Sequence, residues 1–106
     1  LSTLGFWLLH TTGLARWARL DTRKLVRVLR VVEASYPDNP YHCARHAADV
    51  LQSVHVTLHR GGLTPGYADP LHQLAMYLSA IVHDVEHRGR TNDFLITSHH
   101  ELAVRY

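Results

Sequence analysis

The sequence predicts an all-α fold, a small bundle of helices. No stretch alternates apolar and polar residues with period two, as a half-buried strand would. Apolar residues recur instead at spacings of three and four. Proline and glycine cluster at 36–40, at 61–66 and at Gly89, dividing the chain into helix-length pieces.

A first helix is expected from about Thr3 to Ala15. Asp21 or Thr22 can cap a second, which runs to about Ser35 with Leu25, Val28/Leu29 and Val32 inward. Tyr36-Pro37-Asp38-Asn39-Pro40 stops it, because proline opposes helix at and before itself. A third helix is expected from near Tyr41 to Arg60, with the stripe Ala47, Leu51, Val54 and Leu58, and Gly61-Gly62 ends it. After a loop containing Pro65-Gly66, a fourth runs from Pro70 to about Val85, with Leu71, Leu74/Ala75, Leu78 and Ile81/Val82 apolar. Gly89 breaks the chain, Thr91-Asn92 opens a short turn, and Ser98 with Glu101 has capping-box spacing for a last helix.

The 106 residues suffice for one small domain, and 46% apolar with 19% charged residues reads as globular. A single cysteine, Cys43, allows no internal disulfide and suits a reducing, cytoplasmic setting. No run approaches the roughly 20 apolar residues of a membrane span, and the start shows no basic region of a signal peptide. The chain lacks an initiator methionine and ends inside a helical pattern, so it is read as a piece truncated at both ends. The net charge of +2 is too small for a nucleic-acid surface. Arg23, Lys24, Arg27 and Arg30 form the wet side of an amphipathic helix.

Ten histidines are the compositional anomaly. Two clusters hold most of the chemistry, Tyr41-His42-Cys43-Ala44-Arg45-His46 and His83-Asp84-Val85-Glu86-His87. Read as helix, each histidine pair lies at i,i+4 on one face, about 6 Å apart along the axis. His55 and His59 fall on other faces of the third helix than His46 and are expected as exposed residues, with adventitious zinc binding as the alternative. His72 lies about 16 Å along its helix from His83, too far for a shared ion. His10, His99 and His100 read as surface residues. His42, His46, His83, Asp84 and His87 remain. They can be histidines hydrogen-bonded to an aspartate that joins two helices, or a divalent-metal site. Burying several imidazoles and a carboxylate leaves many polar groups to satisfy, and an ion satisfies them together.

At these residues the chain resembles the catalytic domain of class I 3′,5′-cyclic nucleotide phosphodiesterases, within the His-Asp phosphohydrolase group. Pro40-Tyr41-His42-Cys43-Ala44-Arg45-His46-Ala47-Ala48-Asp49-Val50 is similar to the family's first motif, and His83-Asp84-Val85-Glu86-His87-Arg88-Gly89 with Asn92 and Phe94-Leu95 to its second. Cys43 stands where asparagine is usual and Arg88 where proline is common.

The resemblance implies that this is the front part of a larger all-helical catalytic domain that hydrolyses cyclic AMP or cyclic GMP to 5′-monophosphates. It implies His42 as the general acid on the leaving 3′ oxygen, and His46, His83 and Asp84 as ligands of a tight zinc-type ion. Asp84 would also reach a second ion, magnesium or manganese. His87 and Asn92 would hold water beside the metals, and Asp49 would support, orienting His46. The family's remaining metal-ligand aspartate, its purine-binding glutamine and its base-stacking aromatic are expected beyond residue 106, with regulatory domains elsewhere in the protein. Another His-Asp nucleotide hydrolase, or a non-catalytic metal-binding helical piece, are the alternatives.

Overall fold

The computed structural model describes residues 1–105, and among them it contains helices and no strand. The helices are α1 (Ser2–Thr11), α2 (Leu14–Trp17), α3 (Thr22–Ala34), α4 (Ala44–Arg60), α5 (Pro70–Val82), α6 (Asn92–Thr97) and α7 (Glu101–Arg105).

The first expected helix is broken in two. Gly13 takes φ 78°, a left-handed conformation, and turns the chain between α1 and α2. The Thr12 hydroxyl donates to the Leu8 carbonyl at 2.6 Å, occupying an acceptor at the end of α1. Asp21 caps α3, its carboxylate accepting from the Lys24 amide at 2.8 Å. Leu25 and Leu29 are the buried face of α3 and Val28 is exposed. Ser2 on α1 ties to Glu33 on α3 through a hydroxyl–carboxylate bond of 2.6 Å.

The core gathers Leu8 and Leu9 of α1, Leu14 and Ala15 of α2, Leu25 and Leu29 of α3, Leu51 and Leu58 of α4, and Tyr77, Ala80 and Ile81 of α5. Each fully buried leucine contributes roughly 1.5–3 kcal/mol. The broadest helix–helix contact joins α4 to α5, the two helices whose ends the histidine clusters adjoin.

The fourth expected stripe is met only in part: Ile81 is in the core and Leu74 packs against it. Tyr77, Ala80 and Ile81 are buried, whereas Leu71, Leu78 and Val82 are exposed. The segment is apolar nearly all round, so its own pattern does not choose a face, and packing against α4 does. Asp69 caps α5 through the His72 amide at 2.8 Å. At the chain's end Ser98 is not a cap: its hydroxyl donates to the Leu95 carbonyl, and His100 Nδ1 accepts from the Leu102 amide at 3.2 Å instead. No helix among the described residues is long and apolar enough to cross a membrane.

Candidate metal centre

Apart from His46, the histidines of both clusters, and Asp84, lie off the helices that were expected to present them. Pro37 and Pro40 keep 37–43 non-helical, and Cys43 is extended (φ −131°, ψ 174°) as the N-cap of α4. His42 therefore precedes the helix, and only His46 sits on its first turn. At the other cluster α5 ends at Val82, not Val85. Val85 and His87 make tight bonds to the carbonyls of Val82 and Asp84, at 3.1 and 3.0 Å. Glu86 adopts φ 60°. His83, Asp84 and His87 are thus displayed by a turn rather than by one helical face.

Convergence comes from tertiary structure. His46, His83 and Asp84 each offer one donor atom, and these atoms lie within 4.8 Å of one another. Asp84 Oδ2 is 3.1 Å from His83 Nε2 and 3.5 Å from His46 Nε2. Zinc bonds of about 2.0–2.2 Å place donors roughly 3.3–3.6 Å apart in a tetrahedron, so this set fits an ion with small adjustments. The chemistry also fits, since two imidazole nitrogens and one carboxylate leave open positions, as catalytic sites require.

One contact fixes the ligand atom of His83. Its Nδ1 lies 3.0 Å from the Ala80 carbonyl, which can only accept. Nδ1 therefore donates there, which leaves Nε2, 3.1 Å from Asp84 Oδ2, as the ring nitrogen available to an ion.

The cluster is not buried. Side-chain exposure is 20% for His46, 33% for His83 and 16% for Asp84, because they lie at an end of the α4–α5 pair rather than in its core. The expectation of several buried imidazoles is therefore not met, and the case for a metal stands on the converging donors.

Around the cluster, His42 stacks on His87 with centroids 3.9 Å apart and planes 18° apart. The His42 ring is 5.9 Å from that of His46, and Tyr41 packs on His46 at 4.5 Å. Asp49 is exposed one turn along α4, and among the described residues no hydrogen bond joins it to His46. Asn92 is exposed at the start of α6. An open cavity of 630 Å³ runs along Tyr36–Pro40 and Cys43–Arg45, beside the cluster rather than over it.

The histidines expected to be idle are not all so. His55 is half-buried, and its Nδ1 meets the hydroxyl of fully buried Tyr77 at 2.7 Å. His59 Nε2 reaches the same hydroxyl at 3.2 Å. Burial lowers the His55 pKa, with His59 adding to the effect, and burial pushes the Tyr77 phenol up to about 12. The i,i+4 spacing of His55 and His59 was visible in the sequence, but a tyrosine partner on another helix was not.

Known proteins bear on this geometry. The family described as 3′5′-cyclic nucleotide phosphodiesterase matches residues 41–106, the stretch that carries both clusters. The chain belongs to that family. A probable 3′,5′-cyclic-AMP phosphodiesterase of Caenorhabditis elegans is 42% identical over 106 residues, 100% of this chain and 16% of that protein. A high-affinity cAMP-specific, IBMX-insensitive 3′,5′-cyclic phosphodiesterase 8A of Homo sapiens is 35% identical over 97% of this chain and 12% of its own length. A calcium/calmodulin-dependent dual-specificity 3′,5′-cyclic nucleotide phosphodiesterase 1B of Mus musculus is 38% identical over 100% of this chain and 20% of its own. The chain thus spans a fifth or less of the length of these relatives.

Proposed function

We propose that this phosphodiesterase-family chain is the front part of a longer, cytoplasmic catalytic domain that hydrolyses 3′,5′-cyclic nucleotides to 5′-nucleoside monophosphates. The observation that carries the proposal is the convergence of His46, His83 and Asp84 within 4.8 Å, beside the stacked pair His42 and His87.

His46 and His83 would hold a zinc-type ion through ring nitrogens. Asp84 would help to hold it and would also help to hold a second, magnesium- or manganese-type ion. Bound there, divalent cations neutralise the phosphodiester and make water a better nucleophile at neutral pH. His42 is close to the cluster without belonging to it, which suits a general acid. Attack of water oxygen on phosphorus breaks the P–O3′ bond; the water gives up its proton to solvent or to the product phosphate, and the His42 imidazolium gives its proton to the departing 3′ oxygen. The stacking of His87 on His42 limits rotation of that ring. His87 and Asn92 would order water near the ions, and Asp49 would support α4 near His46.

Turnover of cyclic AMP and cyclic GMP by the full-length protein tests this, with and without a chelator. Chelator-sensitive release of 5′-monophosphate is expected, restored by zinc plus magnesium. Absence of turnover, or turnover indifferent to chelator, rejects it.

A further inference from the structure

The connector between α3 and α4 crosses the end of α5 and the turn after it that bears the second histidine cluster, and bonds to them at three points. The Ser35 carbonyl accepts from the Glu86 amide at 3.3 Å. The buried Tyr36 hydroxyl donates to the Ile81 carbonyl at 2.8 Å, satisfying an acceptor that the end of α5 leaves open. Asn39 makes the third link. Its Nδ2 donates to the His87 carbonyl at 2.7 Å and to the His42 carbonyl at 3.2 Å.

We propose that Asn39 is a positioning residue that sets the separation of the two histidine-bearing loops, and with it the stacking of His42 on His87. Residues 40–43 and 83–89 belong to no helix, so helix geometry fixes neither loop relative to the other. One carboxamide nitrogen carries two N–H donors in a fixed plane, and here each goes to the carbonyl beside one of the stacked imidazoles. Aspartate has the same shape and no donor. Glutamine is a methylene too long. Gly89 belongs to the same device. A Cβ added there would come within 2.9 Å of Asn39 Oδ1, and the φ of 68° already favours glycine. Its amide donates to His87 Nδ1 at 2.9 Å, so close approach by Asn39 and the orientation of His87 are linked through one residue.

The catalytic consequence rests on the function proposed above; the positional one does not. The test uses the full-length protein with Asn39→Asp, Asn39→Ala, Gly89→Ala and the double variant Asn39→Ala/Gly89→Ala. Three quantities are measured: backbone amide exchange, zinc content, and kcat and KM for cyclic AMP. Loss of the two donated bonds should speed exchange across 85–89 by about tenfold or more, while α1 and α3 keep their protection. Zinc content should hold. Misplacing the acid should lower kcat by roughly 10–100-fold with KM within about threefold. Gly89→Ala should cost less in the Asn39→Ala background than alone, because the carboxamide it collides with is gone.

Unchanged exchange and kcat in both Asn39 variants overturns the proposal. So does a rise in KM at constant kcat, which makes Asn39 a substrate contact, or exchange that quickens throughout the chain, which makes it a general fold residue. Additive Asn39 and Gly89 costs overturn it as well. If the unmodified protein turns over no cyclic nucleotide, the function fails, while the exchange and additivity measurements still decide the positional claim.

Discussion

Replacing Asp84 with asparagine keeps the side chain's shape and removes its charge. Asp84 Oδ2 is the atom shared by the cluster, 3.1 Å from one imidazole nitrogen and 3.5 Å from the other. It is also the only charged donor of the three. Zinc sites with four protein ligands bind with about 10–16 kcal/mol, or about 2.5–4 kcal/mol per ligand. Loss of the carboxylate should therefore weaken zinc binding by roughly 10²–10³-fold. The assay is a zinc titration of the 106-residue chain against a chromophoric competitor, alongside His46→Ala and the double variant His55→Ala/His59→Ala. The first two variants should lose affinity together. The last should stay within about threefold of the parent, because the His55 and His59 nitrogens on Tyr77 are committed to another helix. Equal zinc affinity for the parent and Asp84→Asn would falsify the metal assignment, and loss of uptake only in the double variant would move the site to His55 and His59. In the full-length protein Asp84→Asn should abolish turnover without rescue by added magnesium.

Further outcomes follow from the same geometry. His42→Ala in the full-length protein should cut kcat by roughly 10²–10⁴-fold with zinc content intact; loss of zinc on metal analysis would make His42 a ligand. The 106-residue chain alone should bind zinc weakly and hydrolyse nothing measurable, because three protein donors leave the site short; turnover by the isolated chain, read by product chromatography, would refute this. Tyr77→Phe removes a buried hydroxyl shared by two histidines and should cost about 1–2 kcal/mol, read from urea unfolding, against about 2–5 kcal/mol for Leu51→Ala. The His55 pKa is below its ordinary 6.5, so its contribution to stability is present above that value and is lost as pH falls through the lowered one. His55→Gln should flatten the decline of the urea midpoint as pH falls below 6.5; an unchanged slope would show that other groups dominate.

Much of this protein is local, and the sequence by itself determined it. The absence of period two excluded a sheet. Asp21 and the stripe Ala47, Leu51 and Leu58 set α3 and α4, because capping and amphipathic phase act over a few residues. The two His-rich motifs named the family and the three residues whose donor atoms converge in the fold. The tertiary structure decided what depends on distant partners. The buried face of α5 was set by α4, since an all-round apolar helix has no preferred side of its own. The end of α5 was set by Tyr36 and Ser35, whose bonds to Ile81 and Glu86 come from some fifty residues away in the chain. His42 and His87 meet through a loop and a turn, not through helical spacing, so no periodicity could have placed them. The roles of Asn39 and Tyr77 were invisible for the same reason: a hydrogen bond is made by geometry within about 3 Å, and only the folded chain brings its two ends that close.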